Sequence, residues 1–158
     1  MKPTETQILE FLSESNKIEG VFDDDSLQQA KYAWDYLAEQ KEMTPSVILK
    51  THKILMLNQN LLPNEKGYFR KVPVYIGGKE AIDYRKISEA IGNWCNNTMN
   101  SRKSAKKLHV EYETIHPFVD GNGRTGRMFL NWTRIKKKQP IIIIHEGKEQ
   151  MEYYDWFK

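Results

Sequence analysis

The chain has 158 residues, 39% of them hydrophobic, with 4 Trp, 8 Tyr and 6 Phe: enough for one folded domain and too much for a disordered chain. Its 24 Lys and Arg against 21 Asp and Glu leave +3, a balance that does not mark a nucleic-acid binder but suits a local anion site. The one cysteine, Cys95, excludes an internal disulfide and reads as packing between Trp94 and Asn96. The N-terminus lacks the apolar core of a signal peptide, and the run Ile141 to Ile144 is too short to span a bilayer, so a cytoplasmic protein is expected.

In chain order, Ile8, Leu9, Phe11 and Leu12 give an apolar stripe to a first helix over about 4–15. Glu19-Gly20 through Asp25 breaks it. Ser26 starts a second helix, with Leu27, Ala30, Ala33, Trp34 and Leu37 inward. Thr44 as N-cap and Pro45 at N1 open a third, which fades at Asn58. The β-prone stretch Gly67 to Gly78, with Tyr68, Phe69, Val72, Val74, Tyr75 and Ile76, reads as a short hairpin, placed at an exposed edge by Pro73. Helix resumes at Asp83 and again over about 104–116, follows the Gly-rich loop, and ends in a short piece over 149–157. The expected class is all-α, a single helical domain over 1–158 with one β-hairpin.

The chemistry concentrates in His116-Pro117-Phe118-Val119-Asp120-Gly121-Asn122-Gly123-Arg124-Thr125-Gly126-Arg127. A helix ends at His116, because the residue before proline disfavours the right-handed helical region. Gly121 and Gly123 let the backbone bend and present bare N–H groups, and the helix that starts near Arg124 adds free donors and a partial positive charge. Such a loop-to-helix junction takes an anion, most naturally phosphate. Arg124 and Arg127, three apart, are expected on one face, where two guanidinium forks suit a polyphosphate. Cations at a helix N-terminus oppose the dipole, which speaks for function over stability. Asp120 offers a hard oxygen for Mg²⁺ beside phosphate oxygens, and His116 can take a proton near neutral pH. Singly, each feature has an ordinary reading as a turn, a helix end or a solvated surface. All of them in this order within one short stretch do not.

That stretch resembles the Fic-family signature His-x-Phe-x-(Asp/Glu)-Gly-Asn-Gly-Arg-x-x-Arg at every fixed position. The resemblance implies a helical Fic fold with a hairpin flap beside the site, the flap falling in 67–78. It implies a protein adenylyltransferase in which His116 deprotonates a target hydroxyl that attacks the α-phosphate of ATP. Asp120 would hold Mg²⁺, the backbone of Gly121, Asn122 and Gly123 would cradle phosphates, and Arg124 and Arg127 would hold the α/β and γ groups. Phe118 would be core. An extended target segment would dock by strand addition along Val74, Tyr75, Ile76 and Gly77.

Ser15 and Glu19 share a helix face at i and i+4, with Gly20 as a helix end. Alone this is a helix end with a surface acid. Beside the signature it resembles the family's inhibitory motif, (Ser/Thr)-x-x-x-Glu-(Gly/Asn), within an N-terminal inhibitory segment over 1–22. Glu19 would then pair with Arg127 in the place of a γ-phosphate. The implied partners are ATP and a protein bearing a Ser, Thr or Tyr hydroxyl, including the chain itself. The sequence admits a homodimer and does not point to membrane or nucleic acid. Little follows Phe157, so no appended recruitment domain is expected.

Other readings stay open on sequence alone: removal of AMP with Glu19 orienting water, transfer from another donor such as CDP-choline or UTP, and a non-catalytic binding or toxin-partner module. The basic run Arg134 to Lys138 reads as a solvated helix end, and His52 as a packing residue. His109 and His145 lack zinc spacing, and Glu111 and Glu113 are expected to face water.

Overall fold

The computed structural model describes residues 2–158. Its helices are α1 (Glu5–Ile18), α2 (Asp24–Ala38), α3 (Pro45–Leu55), α4 (Ile87–Asn100), α5 (Ala105–Ile115), α6 (Asn122–Lys136) and α7 (Lys148–Asp155), with the strands β1 (Tyr75–Ile76) and β2 (Lys79–Glu80) between α3 and α4. The helical class with one hairpin is as expected from sequence. None of the described helices is long and apolar enough to cross a membrane.

The helix starts follow their capping chemistry. Thr4 and Gln7 form a reciprocal capping box on α1. Asp23, Thr44 and Ser104 each accept a backbone N–H of the first turn of α2, α3 and α5. The second helix therefore begins at Asp24, two residues before the Ser26 start, because Asp23 rather than a later residue is the cap.

Helix α6 is the hub. Along it, Asn122 and every residue from Arg124 to Thr133 are buried, enclosed by α1, α2, α3 and α5. The core around it is built from Phe11, Leu12, Trp34, Leu37, Ile48, Met56, Ile91, Trp94, Tyr112, Phe118 and Phe129. Cys95 is buried as expected, and desolvation pushes its thiol up to about 12. Placing α6 at the centre seats the loop before it, and so the site, against the packed core.

The hairpin is shifted from its expected position. Its arms are Tyr75–Ile76 and Lys79–Glu80, paired Tyr75 with Glu80 and Ile76 with Lys79, so Gly77-Gly78 is the tip and not the end. Both glycines have positive φ (55° and 83°), as a tight two-residue hairpin turn demands. The expected range of 67–78 took the turn glycines for a terminator and missed the second strand.

Candidate active site

The signature loop is closed by its own side chains. Asn122 clamps Phe118 from both sides: its Oδ1 accepts from Phe118 N and its Nδ2 donates to Phe118 O, each at 2.8 Å. Phe118 is fully buried as expected and lies flat on the His52 ring of α3, centroids 3.6 Å apart. His52 Nδ1 accepts from Gly67 N at 2.9 Å, so its Nε2 carries the hydrogen and donates to Asp120 O at 2.8 Å. Burial pulls its pKa down to about 4, which keeps it neutral and suits the packing role expected for it. Gly121 sits at φ 85°, and a side chain there would strike Met56 Sδ and the His52 ring. The first intrahelical bond of α6 runs from Thr125 N to Gly121 O at 3.0 Å, so the N–H groups of Asn122, Gly123 and Arg124 precede the ladder and form an anion-receptive helix start.

His116 caps α5 in the left-handed region, at φ 51° and ψ 63°. Its Nδ1 lies 3.2 Å from Glu113 O. A carbonyl only accepts, so Nδ1 holds the hydrogen and Nε2 keeps the free lone pair. Desolvation, countered in part by that bond, lowers its pKa, so the neutral base form prevails at neutral pH.

His116, Asp120, Gly121, Asn122, Gly123 and Arg127 line one open cleft of about 670 Å³, large enough for a nucleotide. Glu19 lines it too. The Arg127 side chain is 3% exposed: its Nε donates to Ser15 Oγ at 2.7 Å, and its Nη2 to Ser15 O at 3.0 Å and to Glu19 Oε1 at 2.8 Å. The place of Glu19 is set by the end of α1. Gly20 N donates to Lys17 O and Val21 N to Asn16 O, a Schellman closure with Gly20 at φ 72°. The helix thus runs through Ile18, beyond the expected end at Ser15, and Glu19 is its C-cap. A carboxylate at a helix C-terminus opposes the dipole, so its position answers to Arg127 and not to helix stability. Glu19 Oε1 also occupies the space a side chain on Gly123 would need, directly over the start of α6.

Two expectations need correction. Arg124 and Arg127 diverge. Arg127 lines the cleft, whereas Arg124 turns toward Asp120 Oδ2 (3.7 Å) and Gln59 Oε1 (3.4 Å), and its Nε has no partner among the described residues. Close packing of α6 against α3 and α2 separates side chains that helical spacing alone puts on one face. Glu113 faces water only in part: half-buried at the wall of the cleft, it has one carboxylate oxygen sealed beside Gly126 with no partner, and burial raises its pKa to about 7 against the opposing pull of Arg127. Glu111 is half-buried and paired with Lys103 at 2.8 Å.

Sequence reasoning missed Tyr153 of α7. Its hydroxyl accepts weakly from Arg127 Nη1 at 3.4 Å and lies 2.7 Å from Nε2 of His109, whose Nδ1 lies 3.0 Å from Gly126 O. Gly126 O must accept, so Nδ1 carries the hydrogen and Nε2 accepts a hydrogen bond from the Tyr153 hydroxyl; His109 stands behind Arg127 as a neutral ring, its pKa lowered to about 3 by burial. No local motif marks this contact, which joins α5, α6 and α7.

The donor set fits Mg²⁺ only in partnership with a phosphate ligand. The Asp120 side chain is 63% exposed and makes one short local bond, its Oδ1 accepting from Gly121 N at 2.8 Å. No group of three metal-ligating side chains occurs among the described residues. One largely exposed carboxylate beside an anion site matches a metal that keeps its waters and takes the rest of its ligands from a phosphate chain.

Residues 42–133 match the family model described as Fic/DOC family. The chain belongs to the Fic/DOC family. The matched span holds the signature loop and hairpin and begins after α1, so Ser15 and Glu19 lie outside it. Among curated relatives, the protein adenylyltransferase Fic of Drosophila grimshawi is 30% identical over 135 residues, and that of Drosophila erecta 31%. Each alignment covers 81% of this chain and 27% of the relative, so this Fic domain spans about a quarter of those proteins' length. Among solved structures, a Fic domain containing signaling protein from Bacteroides thetaiotaomicron superposes with a TM-score of 0.80 at 17% identity, covering 96% of this chain and 71% of that one. Fic-1 of C. elegans gives 0.77 at 21%, covering 96% and 55%. Both likenesses concern the fold.

Proposed function

We propose that this chain is a protein adenylyltransferase whose resting state is held by Glu19. The observation that carries the reading is the shared cleft, where the free Nε2 base of His116, the exposed carboxylate of Asp120, the helix start at Gly121 to Gly123 and the Arg127 guanidinium face one space. His116 Nε2 takes the proton of a target Ser, Thr or Tyr hydroxyl. The hydroxyl oxygen bonds to the α-phosphorus of ATP, the bond from that phosphorus to the bridging oxygen breaks, and pyrophosphate leaves with the electron pair. Mg²⁺, when bound at Asp120, supplies charge neutralisation for the phosphate chain. The N–H groups at the start of α6 hold the phosphates and Arg127 receives the γ-phosphate, while Arg124, outside the cleft, steadies the loop through Asp120.

In the resting chain Glu19 already occupies Arg127 and covers Gly123. ATP must displace that carboxylate, or bind with its α-phosphate misplaced, and an error of about 1 Å there costs on the order of a hundredfold in rate. The hairpin, with Ile76 and Lys79 to Ile82 along the cleft, receives the target. Of the expected docking residues Val74, Tyr75, Ile76 and Gly77, Ile76 lines the cleft.

The test is incubation of wild type, Glu19→Gly, and Glu19→Gly with His116→Ala in Mg²⁺ and ATP labelled at the α-phosphate. Label is expected on the Glu19→Gly protein and not on the doubly substituted one. Equal labelling of both would remove His116 from the mechanism, and no gain over wild type would remove Glu19 from the control.

A further inference from the structure

Arg70 lies just before the hairpin, is 2% exposed, and spends its guanidinium entirely on backbone carbonyls. Its Nε donates to His116 O at 2.7 Å, its Nη1 to Val72 O at 3.0 Å, and its Nη2 to Ile82 O at 2.7 Å and Ile115 O at 3.4 Å. Its own N–H donates to Pro117 O at 2.9 Å. Among the described residues no carboxylate comes within ion-pair distance. Asp83 and Glu80 act only from further off, and burial lowers the Arg70 pKa. A buried cation without a carboxylate is expensive. What offsets it here is the C-terminus of α5, whose free carbonyls carry the negative end of the helix dipole.

The acceptors belong to two different parts of the site. Ile115, His116 and Pro117 form the end of α5 that carries the base. Val72 and Ile82 are the roots of the hairpin arms, one before β1 and one after β2. His116 is also a non-glycine residue in the left-handed region, a conformation that costs on the order of 1–3 kcal/mol and persists only where its surroundings impose it. The short bond from Arg70 Nε grips the carbonyl of that same residue, and the Arg70 N–H grips the next one. Proline at 117 excludes the ordinary helical alternative but does not choose the left-handed one.

We propose that Arg70 is a positioning residue that fixes the left-handed backbone of His116 and ties both roots of the hairpin to it, so that the surface receiving the target and the base keep one geometry. The proposal rests on the reading of His116 as base and adds a role for a residue outside the signature. A lysine in its place keeps the charge but cannot reach both bodies, and glutamine loses charge and fork together.

The test has two arms. In the first, the His116 imidazole is titrated by NMR in wild type, Arg70→Lys and Arg70→Gln. The groups facing His116 are Arg70, Glu19, Asp120 and the Glu113 carbonyl, and only Arg70 among the charged ones lowers its pKa. Arg70→Gln is therefore expected to raise the His116 pKa and to shift its backbone resonances, while Arg70→Lys shifts the backbone and leaves the titration near wild type. In the second arm, in the Glu19→Gly background, both variants are expected to lose kcat on the order of tenfold to a hundredfold, with KM for ATP within about twofold of the parent. A folded Arg70→Gln protein with unchanged His116 resonances, or a loss confined to KM for ATP, overturns the proposal. If Arg70→Gln does not fold, Arg70→Lys decides by the same shifts. A silent Glu19→Gly parent would count against adenylyl transfer, and the NMR arm would still decide Arg70.

Discussion

Replacing Glu19 should strengthen ATP binding by a predictable amount. Its carboxylate makes one charge-assisted bond of 2.8 Å to Arg127, with the two side chains 39% and 3% exposed. Such bonds contribute about 1.5–3 kcal/mol when sheltered. Exposure of the Glu19 end reduces this to roughly 1–2 kcal/mol. ATP must break the bond to reach Arg127, so Glu19→Gly should tighten the Kd by about 5- to 30-fold. Glu19→Gln keeps a neutral acceptor of about half the strength and should fall between. Titration calorimetry with Mg²⁺ and a non-hydrolysable ATP analogue measures this directly. AMP supplies the control: lacking a γ-phosphate, it does not compete for Arg127, and its affinity should stay constant. An unchanged Kd for the ATP analogue, or an equal gain for AMP, would refute the exchange of carboxylate for γ-phosphate.

Two further outcomes follow from burial. Glu113 has a folded pKa of about 7, raised chiefly by desolvation, so folding takes up a proton between its ordinary carboxylate value and 7. Stability from this group is therefore greatest at low pH, falls as pH rises toward 7, and is flat above. Glu113→Gln should remove that slope and stabilise the protein at pH 8 by at most about 3 kcal/mol, and denaturant unfolding at pH 5 and pH 8 reads it. Cys95, with its thiol pushed up to about 12, should resist iodoacetamide at pH 8 in the native protein and react on unfolding. Native labelling at the unfolded rate would contradict the packed α4 face.

The signature loop was legible because its chemistry is local. Asp120 to Gly123, the helix start and the proline after His116 are all set by neighbours in sequence, and the structure gathers His116 and Asp120 to Gly123 in one cleft. Ser15 and Glu19 were legible by spacing, though the Schellman closure that seats Glu19 as a cap depends on the run through Val21. What failed depended on partners far along the chain. Glu113 looks solvent-facing between Tyr112 and Thr114 until α6 brings Gly126 against it. Arg124 leaves the face of Arg127 because Gln59 and Asp120 draw it away. Tyr153 and Arg70 carry no motif at all, since their roles arise from contacts 26 and 46 residues away. The hairpin slipped because two glycines mark a tip as readily as an end, and only the pairing of Tyr75 with Glu80 decides.

The central claim is that the α-phosphorus of ATP is the atom attacked, and parallel labelling tests it most directly. The Glu19→Gly protein is incubated with Mg²⁺ and ATP carrying label at either the α- or the γ-phosphate. Protein-bound label is expected from the α-labelled nucleotide alone, with labelled pyrophosphate released from the γ-labelled one. Label transferred from the γ-position would make the chain a phosphotransferase and contradict the assignment of Arg127 to the γ-phosphate.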